Sequence, residues 1–180
     1  MIFRKIAEFF RFSKRKVDDK KITIKKRKIR HILPHRGRML LLDEVMITPE
    51  KVIGKFKVTK KVCKGHAVFG GNLVFKGSDI LDMSAQLLGV WAAHLLTIKK
   101  DALVRVYGGV SYGWSRFKKP IYPGETLNIE INTHDISSEI LKGGKIMVVR
   151  GKNFSAQVNG EIRAEVKSVE LVAPETDNQF

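Results

Sequence analysis

Hydrophobic and polar positions follow two different periods along this chain. Between Lys51 and Val62, the residues Val52, Gly54, Phe56 and Val58 alternate with lysines, the period-two pattern of a strand with one wet face. From Ser78 to Lys100 the period changes, and no proline interrupts. Ile80, Leu81, Met83, Leu87, Leu88, Val90, Trp91, Leu95 and Leu96 cover nearly all sides of a helix, leaving a narrow polar strip through Asp79, Asp82, Gln86 and His94. A helix apolar on nearly every side is a buried one. Gly77 and Ser78 suit its start, with Ser78 as N-cap, and Asp79 puts negative charge where the helix dipole favours it. Lys99 and Lys100 supply positive charge at the far end. At 1.5 Å per residue the segment reaches roughly 30 Å, enough for a bilayer or a small domain. Its two aspartates and its histidine argue for a protein core.

Strand-like runs fill the rest: Leu103–Tyr107, Val110–Phe117, Leu127–Ile131, Ile146–Val149, Phe154–Val158 and Ile162–Val172. Pro120, Pro123-Gly124, Gly143-Gly144 and Asn159-Gly160 separate them, the last a strong hairpin signal. Several strands with no second long helix between them predict an antiparallel sheet, and a single all-round apolar helix needs that sheet to curve around it. The fold class is α+β.

Composition adds one domain and one asymmetry. At 180 residues and 43% hydrophobic content the chain can bury a real core. Its formal charge of +16 is concentrated: residues 1–30 carry a net +10, leaving +6 for the rest. We therefore divide the chain into a basic arm over 1–30, a folded domain over 31–173 and a loose polar tail over 174–180. Within the arm Ile2, Phe3, Ile6, Phe9 and Phe10 recur at helical spacing among Arg4, Lys5 and Arg11, so the arm is either a poorly ordered basic tail or a short amphipathic helix on an acidic membrane or protein. Charges break any apolar core a secretory signal would need, and the arm is too lysine-rich and serine-poor for a transit peptide, which places the protein in the cytoplasm. No zinc-finger spacing, RNA motif or recognition helix follows the arm, which argues against nucleic acid. Cys63 is the only cysteine, so no internal disulfide or cysteine metal cluster forms. It precedes His66 by three residues, which on an extended strand sends the two side chains to opposite faces. That makes Cys63 structural rather than a nucleophile.

Candidate chemistry gathers at the start of the long helix. Asp82 and Gln86 are four apart and share one face, where the amide can orient the carboxyl. Upstream lie Gly65-His66 and a glycine-rich loop through Gly70, Gly71 and Gly77. The segment Gly77-Ser78-Asp79-Ile80-Leu81-Asp82-Met83-Ser84-Ala85-Gln86-Leu87-Leu88-Gly89 resembles the central helix of bacterial 3-hydroxyacyl-[acyl-carrier-protein] dehydratases, with Gly77, Asp82, Gln86 and Gly89 on the family's pattern and His66 on its catalytic histidine. Leu33-Pro34-His35-Arg36 with Leu40-Leu41-Leu42-Asp43-Glu44-Val45 resembles the family's N-terminal motif, in which the histidine is not the catalytic one, so His35 reads as turn or interface structure. Arg116 and Phe117-Lys118-Lys119-Pro120-Ile121-Tyr122-Pro123-Gly124-Glu125 resemble a third family element. The loop departs from the pattern: two extra residues separate His66 from Asp82, and Lys76 stands where the family has proline.

The resemblance implies a hot-dog fold, no metal and no cofactor, and a homodimer whose sites combine His66 of one protomer with Asp82 of the other around an acyl tunnel; a higher oligomer is left open. It implies dehydration of a 3-hydroxyacyl thioester carried on acyl carrier protein, in fatty acid biosynthesis. His66 is then the base that takes the proton from carbon 2. A backbone N–H at Gly77 steadies the enolate oxygen. Asp82 is the acid that assists departure of the 3-hydroxyl, and Gln86 orients it. Arg36, Lys118 and Lys119 are candidate contacts for the acidic carrier. Aspartate at 82 resembles the branch that also isomerises a double bond, whereas the Leu33 and Phe117 motifs resemble the dehydration-only branch. We favour dehydration with isomerisation open. Because fold does not fix function, a hot-dog thioesterase and a non-catalytic acyl-binding or scaffold protein stand as alternatives. His94 and His134 read as structural.

Overall fold

In the computed structural model, a 24-residue helix, α3 (Gly77–Lys100), lies against one face of an antiparallel sheet. The structure describes residues 21–68, 70–100, 109–141 and 146–174. In chain order the other elements are β1 (Ile22–Lys25), α1 (Lys26–Ile32), β2 (Glu44–Ile47), β3 (Lys51–Lys57), a helical turn α2 (Lys60–Cys63), β4 (Gly109–Tyr112), β5 (Ser115–Phe117), β6 (Thr126–Asn132), β7 (Ile136–Leu141), β8 (Ile146–Val158) and β9 (Glu161–Pro174). The strands run in the order β1-β2-β3-β6-β8-β9-β4, with β5 also on β9 and β7 also on β8. Every pairing among the described residues is antiparallel. This is the hot-dog architecture.

The helix is buried as its sequence predicts. Ile80, Met83, Leu87, Leu88, Val90, Ala92 and Ala93 are each no more than 3% exposed, packed with Val45, Val52, Leu127, Ile129, Val149 and Val166 from the sheet. Gly54 on β3 allows this approach: a β-carbon there would lie 2.6 Å from Leu42 and 3.1 Å from Leu87. The helix begins at Gly77, two residues before the first helical position that an N-cap at Ser78 implies, so Ser78 lies inside the first turn. No helix among the described residues is long and apolar enough to cross a membrane.

Two boundaries differ from expectation. Residues 22–30, assigned to the basic arm, belong with 31 and 32 to the folded unit: β1 pairs with β2 from Ile22↔Ile47 to Lys25↔Glu44, and Ile24, Ile29 and Ile32 are buried. Their lysines point outward and are partly neutralised, Lys25 by Glu44 and Lys26 by Asp43 at 2.6 Å. The strand expected to run through Val62 stops at Lys57, and Lys60–Cys63 turns as a helix. Cys63 therefore owes its burial to that turn rather than to strand alternation, and burial pushes its thiol above the usual range. The amphipathic segment Ile2–Arg11, the strand proposed over 103–107 and all but the first residue of the tail at 174–180 lie outside the described residues. Asn159 and Gly160 adopt φ of 51° and 80° and join β8 to β9 in the hairpin their sequence predicts.

Candidate active site

The start of α3 is fixed from both sides. Phe75 donates its backbone N–H to Ile121 at 2.8 Å, and Ile121 belongs to the Phe117–Glu125 segment. That segment is tightened by Gly124 at φ 96° and by Glu125, whose carboxylate accepts from the Tyr122 N–H at 2.7 Å. The ring of Phe117 lies over Gly77, where a β-carbon would come within 2.8 Å of it. Glycine at 77 is thus required by the approach of an aromatic ring. The Gly77 N–H is one of the first-turn donors that a helix leaves without an intrahelical acceptor.

About two and a half turns into the helix, Gln86 is 1% exposed and fully engaged. Its Nε2 donates to the Met39 carbonyl at 2.7 Å and to Asp82 Oδ2 at 3.0 Å, while its Oε1 accepts from the Leu41 N–H at 2.9 Å. The shared helical face of Asp82 and Gln86 is therefore real, and the amide is itself locked by backbone from the 39–41 segment. Asp82 stays 29% exposed. Its other oxygen, Oδ1, lies 3.7 Å from His35 Nε2. Sequence reasoning set His35 aside as turn structure; the pairing joins residues 47 positions apart and had no local signal.

Asp79 lies one turn before Asp82 on the same helix. Burial pushes its carboxyl above the ordinary aspartate range, with Asp82 adding to the rise and Lys76, His66 and Arg38 opposing it. Tyr112 on β4, although 40% exposed as a residue, is likewise raised, by partial desolvation of its hydroxyl and then by Asp82. Asp79 thus lies within electrostatic reach of His66 and Arg38, and Tyr112 within reach of Asp82.

His66 is exposed and stands in a loop whose hydrogen bonds, among the described residues, are between backbone groups. Its N–H donates to Cys63 O at 3.0 Å, and its carbonyl accepts from Val74 N at 3.1 Å. Ala67 bridges Leu73, and Gly65, Gly70 and Gly71 take φ of 83°, 95° and 84°, conformations open to glycine. Val68 and Asn72 close the excursion at 3.0 Å, so the loop folds back on itself before the helix begins.

The candidate carrier contacts are otherwise occupied. Arg36 Nη1 donates to the carbonyls of Leu33 and His35 at 2.7 and 2.8 Å. Lys118 pairs with Glu165 at 2.7 Å and Lys119 with Glu161. A cleft of about 270 Å³ lies nearby, lined among others by Lys26, Arg38, Lys57, Lys61 and Phe56. His94 is half-buried and burial lowers its imidazole, while His134 is exposed beside Asp135 at 3.7 Å.

Comparison with known proteins matches residues 33–167 to the FabA-like domain. The 3-hydroxyacyl-[acyl-carrier-protein] dehydratase FabZ of Ligilactobacillus salivarius is 34% identical over 128 residues, 69% of this chain and 87% of that protein. FabZ of Haemophilus influenzae strain PittEE is 31% identical over 149 residues, covering 80% and 90%. Among solved structures, a chain of the dehydratase heterocomplex ApeI:P from Xenorhabdus doucetiae superimposes with a TM-score of 0.50 at 18% identity, over 83% of this chain and 91% of that one. The family match spans all three motifs around the Asp82–Gln86 face, and the chain belongs to the FabA-like family of 3-hydroxyacyl-[acyl-carrier-protein] dehydratases.

Proposed function

We propose that this protein removes water from 3-hydroxyacyl groups on acyl carrier protein, giving trans-2-enoyl products in fatty acid biosynthesis, with His66 as base and Asp82 as acid. The observation that carries the assignment of the acid is the doubly anchored Gln86, which fixes Oδ2 of Asp82 while the carboxyl keeps an exposed side for the substrate. His66 Nε2 or Nδ1 takes the proton from carbon 2, the C2–H electrons form the enolate, and a first-turn N–H at Gly77 supports the charge on the thioester oxygen. Collapse of the enolate breaks the C3–O bond, and Asp82 delivers a proton to the departing hydroxyl, so that water leaves. Aspartate at 82 leaves double-bond isomerisation as a second activity of the same pair.

The active unit in this reading is a homodimer. Strand β4 closes one edge of the sheet, and the residues on and after it, Val110, Tyr112, Trp114 and Phe117, are 40–58% exposed. An edge strand with so much exposed apolar surface suits pairing with a second copy. Tyr112 lies within electrostatic reach of Asp82, so a partner seated there arrives beside the acid. His66, exposed in one chain, is then covered by the other.

Acyl carrier protein, an acidic partner, meets the basic surface through Arg36, Lys118 and Lys119. Lys118 and Lys119 exchange their present carboxylate partners on docking. Arg38 and Lys61, at the cleft, form no ion pair among the described residues and add charge without that exchange. The reaction is placed in the cytoplasm, and the basic arm over residues 1–20 is a candidate for membrane-surface contact.

The test is loss of one water mass from 3-hydroxyacyl-carrier substrates of several chain lengths, with wild type and His66→Ala. Removal of a catalytic base is expected to lower the rate by about 10² to 10⁴-fold. A folded wild-type dimer that releases no water from any chain length contradicts the reading and favours an acyl-binding role.

A further inference from the structure

The two oxygens of Asp82 are approached from opposite sides. Gln86 Nε2 donates to Oδ2 at 3.0 Å, and His35 Nε2 faces Oδ1 at 3.7 Å. The turn that carries His35 is docked onto the same helix. Leu33, which follows α1 and is 4% exposed, packs where Gly89 lacks a side chain, its Cδ2 3.1 Å from the position a β-carbon would take. Arg36 Nη1 then clamps the turn by donating to the carbonyls of both Leu33 and His35. The imidazole position is thus set by the Leu33 side chain docked on α3 and by the Arg36 clamp within the turn, not by the exposed loop that carries His66.

The ring's protonation follows from its surroundings. His35 Nδ1 is buried and has no hydrogen-bond partner among the described residues. A proton placed there would be a buried donor with nothing to receive it, whereas a proton on Nε2 points at a carboxyl oxygen. The Nε2–H tautomer is therefore the favoured neutral form. A separation of 3.7 Å is longer than a hydrogen bond, and closing it takes about half an ångström or slightly more, the kind of tightening that substrate produces in catalytic sites.

We propose that His35 is a positioning residue for Asp82: its Nε2–H holds Oδ1 while Gln86 holds Oδ2, so that the carboxyl plane is fixed toward the departing hydroxyl. This rests on the reading of Asp82 as the acid. The turn motif then has a second purpose besides packing, since it delivers the group that completes the acid's hydrogen-bonding shell.

Two substitutions separate the roles. His35→Phe keeps a planar aromatic ring of somewhat larger size, removes the N–H and removes the unpartnered Nδ1. Stability is expected to hold or rise, while kcat falls roughly 10- to 100-fold at unchanged KM. His35→Gln places an amide N–H near the Nε2 position and is expected to restore kcat to within about threefold of wild type. Independently of any variant's folding, nitrogen NMR of the histidines is expected to show His35 as the Nε2–H tautomer, with a resonance that moves in Asp82→Asn. An unchanged kcat in His35→Phe, a Gln variant as slow as Phe, or an Nδ1–H tautomer overturns the proposal. Full activity in Asp82→Asn instead overturns the reading of Asp82 on which it rests.

Discussion

Asp82 and His66 are held in opposite ways. Asp82 sits on a buried helix, with one oxygen tied to an amide that is itself tied to Met39 and Leu41. His66 sits exposed in a loop that turns on three left-handed glycines and contributes only backbone hydrogen bonds. Within one chain the acid is preorganised and the base is not. Catalytic groups have to be held close to productive geometry, so under the proposed reading one chain supplies a finished half of the site and assembly with a second copy completes the other.

The largest test of this contrast after loss of the base is Gln86→Leu. It removes three hydrogen bonds from a residue 1% exposed and strands the Leu41 N–H and the Met39 carbonyl, at a cost of about 2 to 4 kcal/mol in all. Urea unfolding measures the loss, and kcat is expected to fall as well because Asp82 loses its orienting donor. A variant as stable as wild type would mean that the acid's half is not rigid. The smallest test uses Asp79. Its carboxyl is raised above the ordinary aspartate range chiefly by burial, so the charged form is disfavoured in the folded state. That penalty is present above the folded pKa and disappears as pH falls through it to the unfolded value. Asp79→Asn is therefore expected to raise stability at neutral pH, with the gain vanishing below about pH 4, as followed by thermal unfolding across pH.

How much of this was legible in the sequence depended on whether the cause was local. The buried helix, the Asn159-Gly160 hairpin and the common face of Asp82 and Gln86 follow from periodicity and turn chemistry, and the structure has all three. The folded character of residues 22–32 was hidden by lysines, although Ile22 and Ile24 alternate and Ile29 and Ile32 are one turn apart. Net charge there describes the outward face only. The closeness of His35 to Asp82, the clamp of Met39 and Leu41 on Gln86, and the cross-strand partners of Lys118 and Lys119 depend on tertiary approach and have no sequence period.

The most direct measurement is complementation between two inactive chains. His66→Ala and Asp82→Asn are co-expressed with different tags, mixed dimers are purified, and water loss from a 3-hydroxyacyl-carrier substrate is followed. If each site joins His66 of one protomer to Asp82 of the other, a mixed dimer holds one intact site and one doubly altered site, and about half of the wild-type rate per dimer returns. If both groups serve the same site within one chain, every site in the mixed dimer carries a lesion. Activity no higher than that of the parent variants would contradict the account.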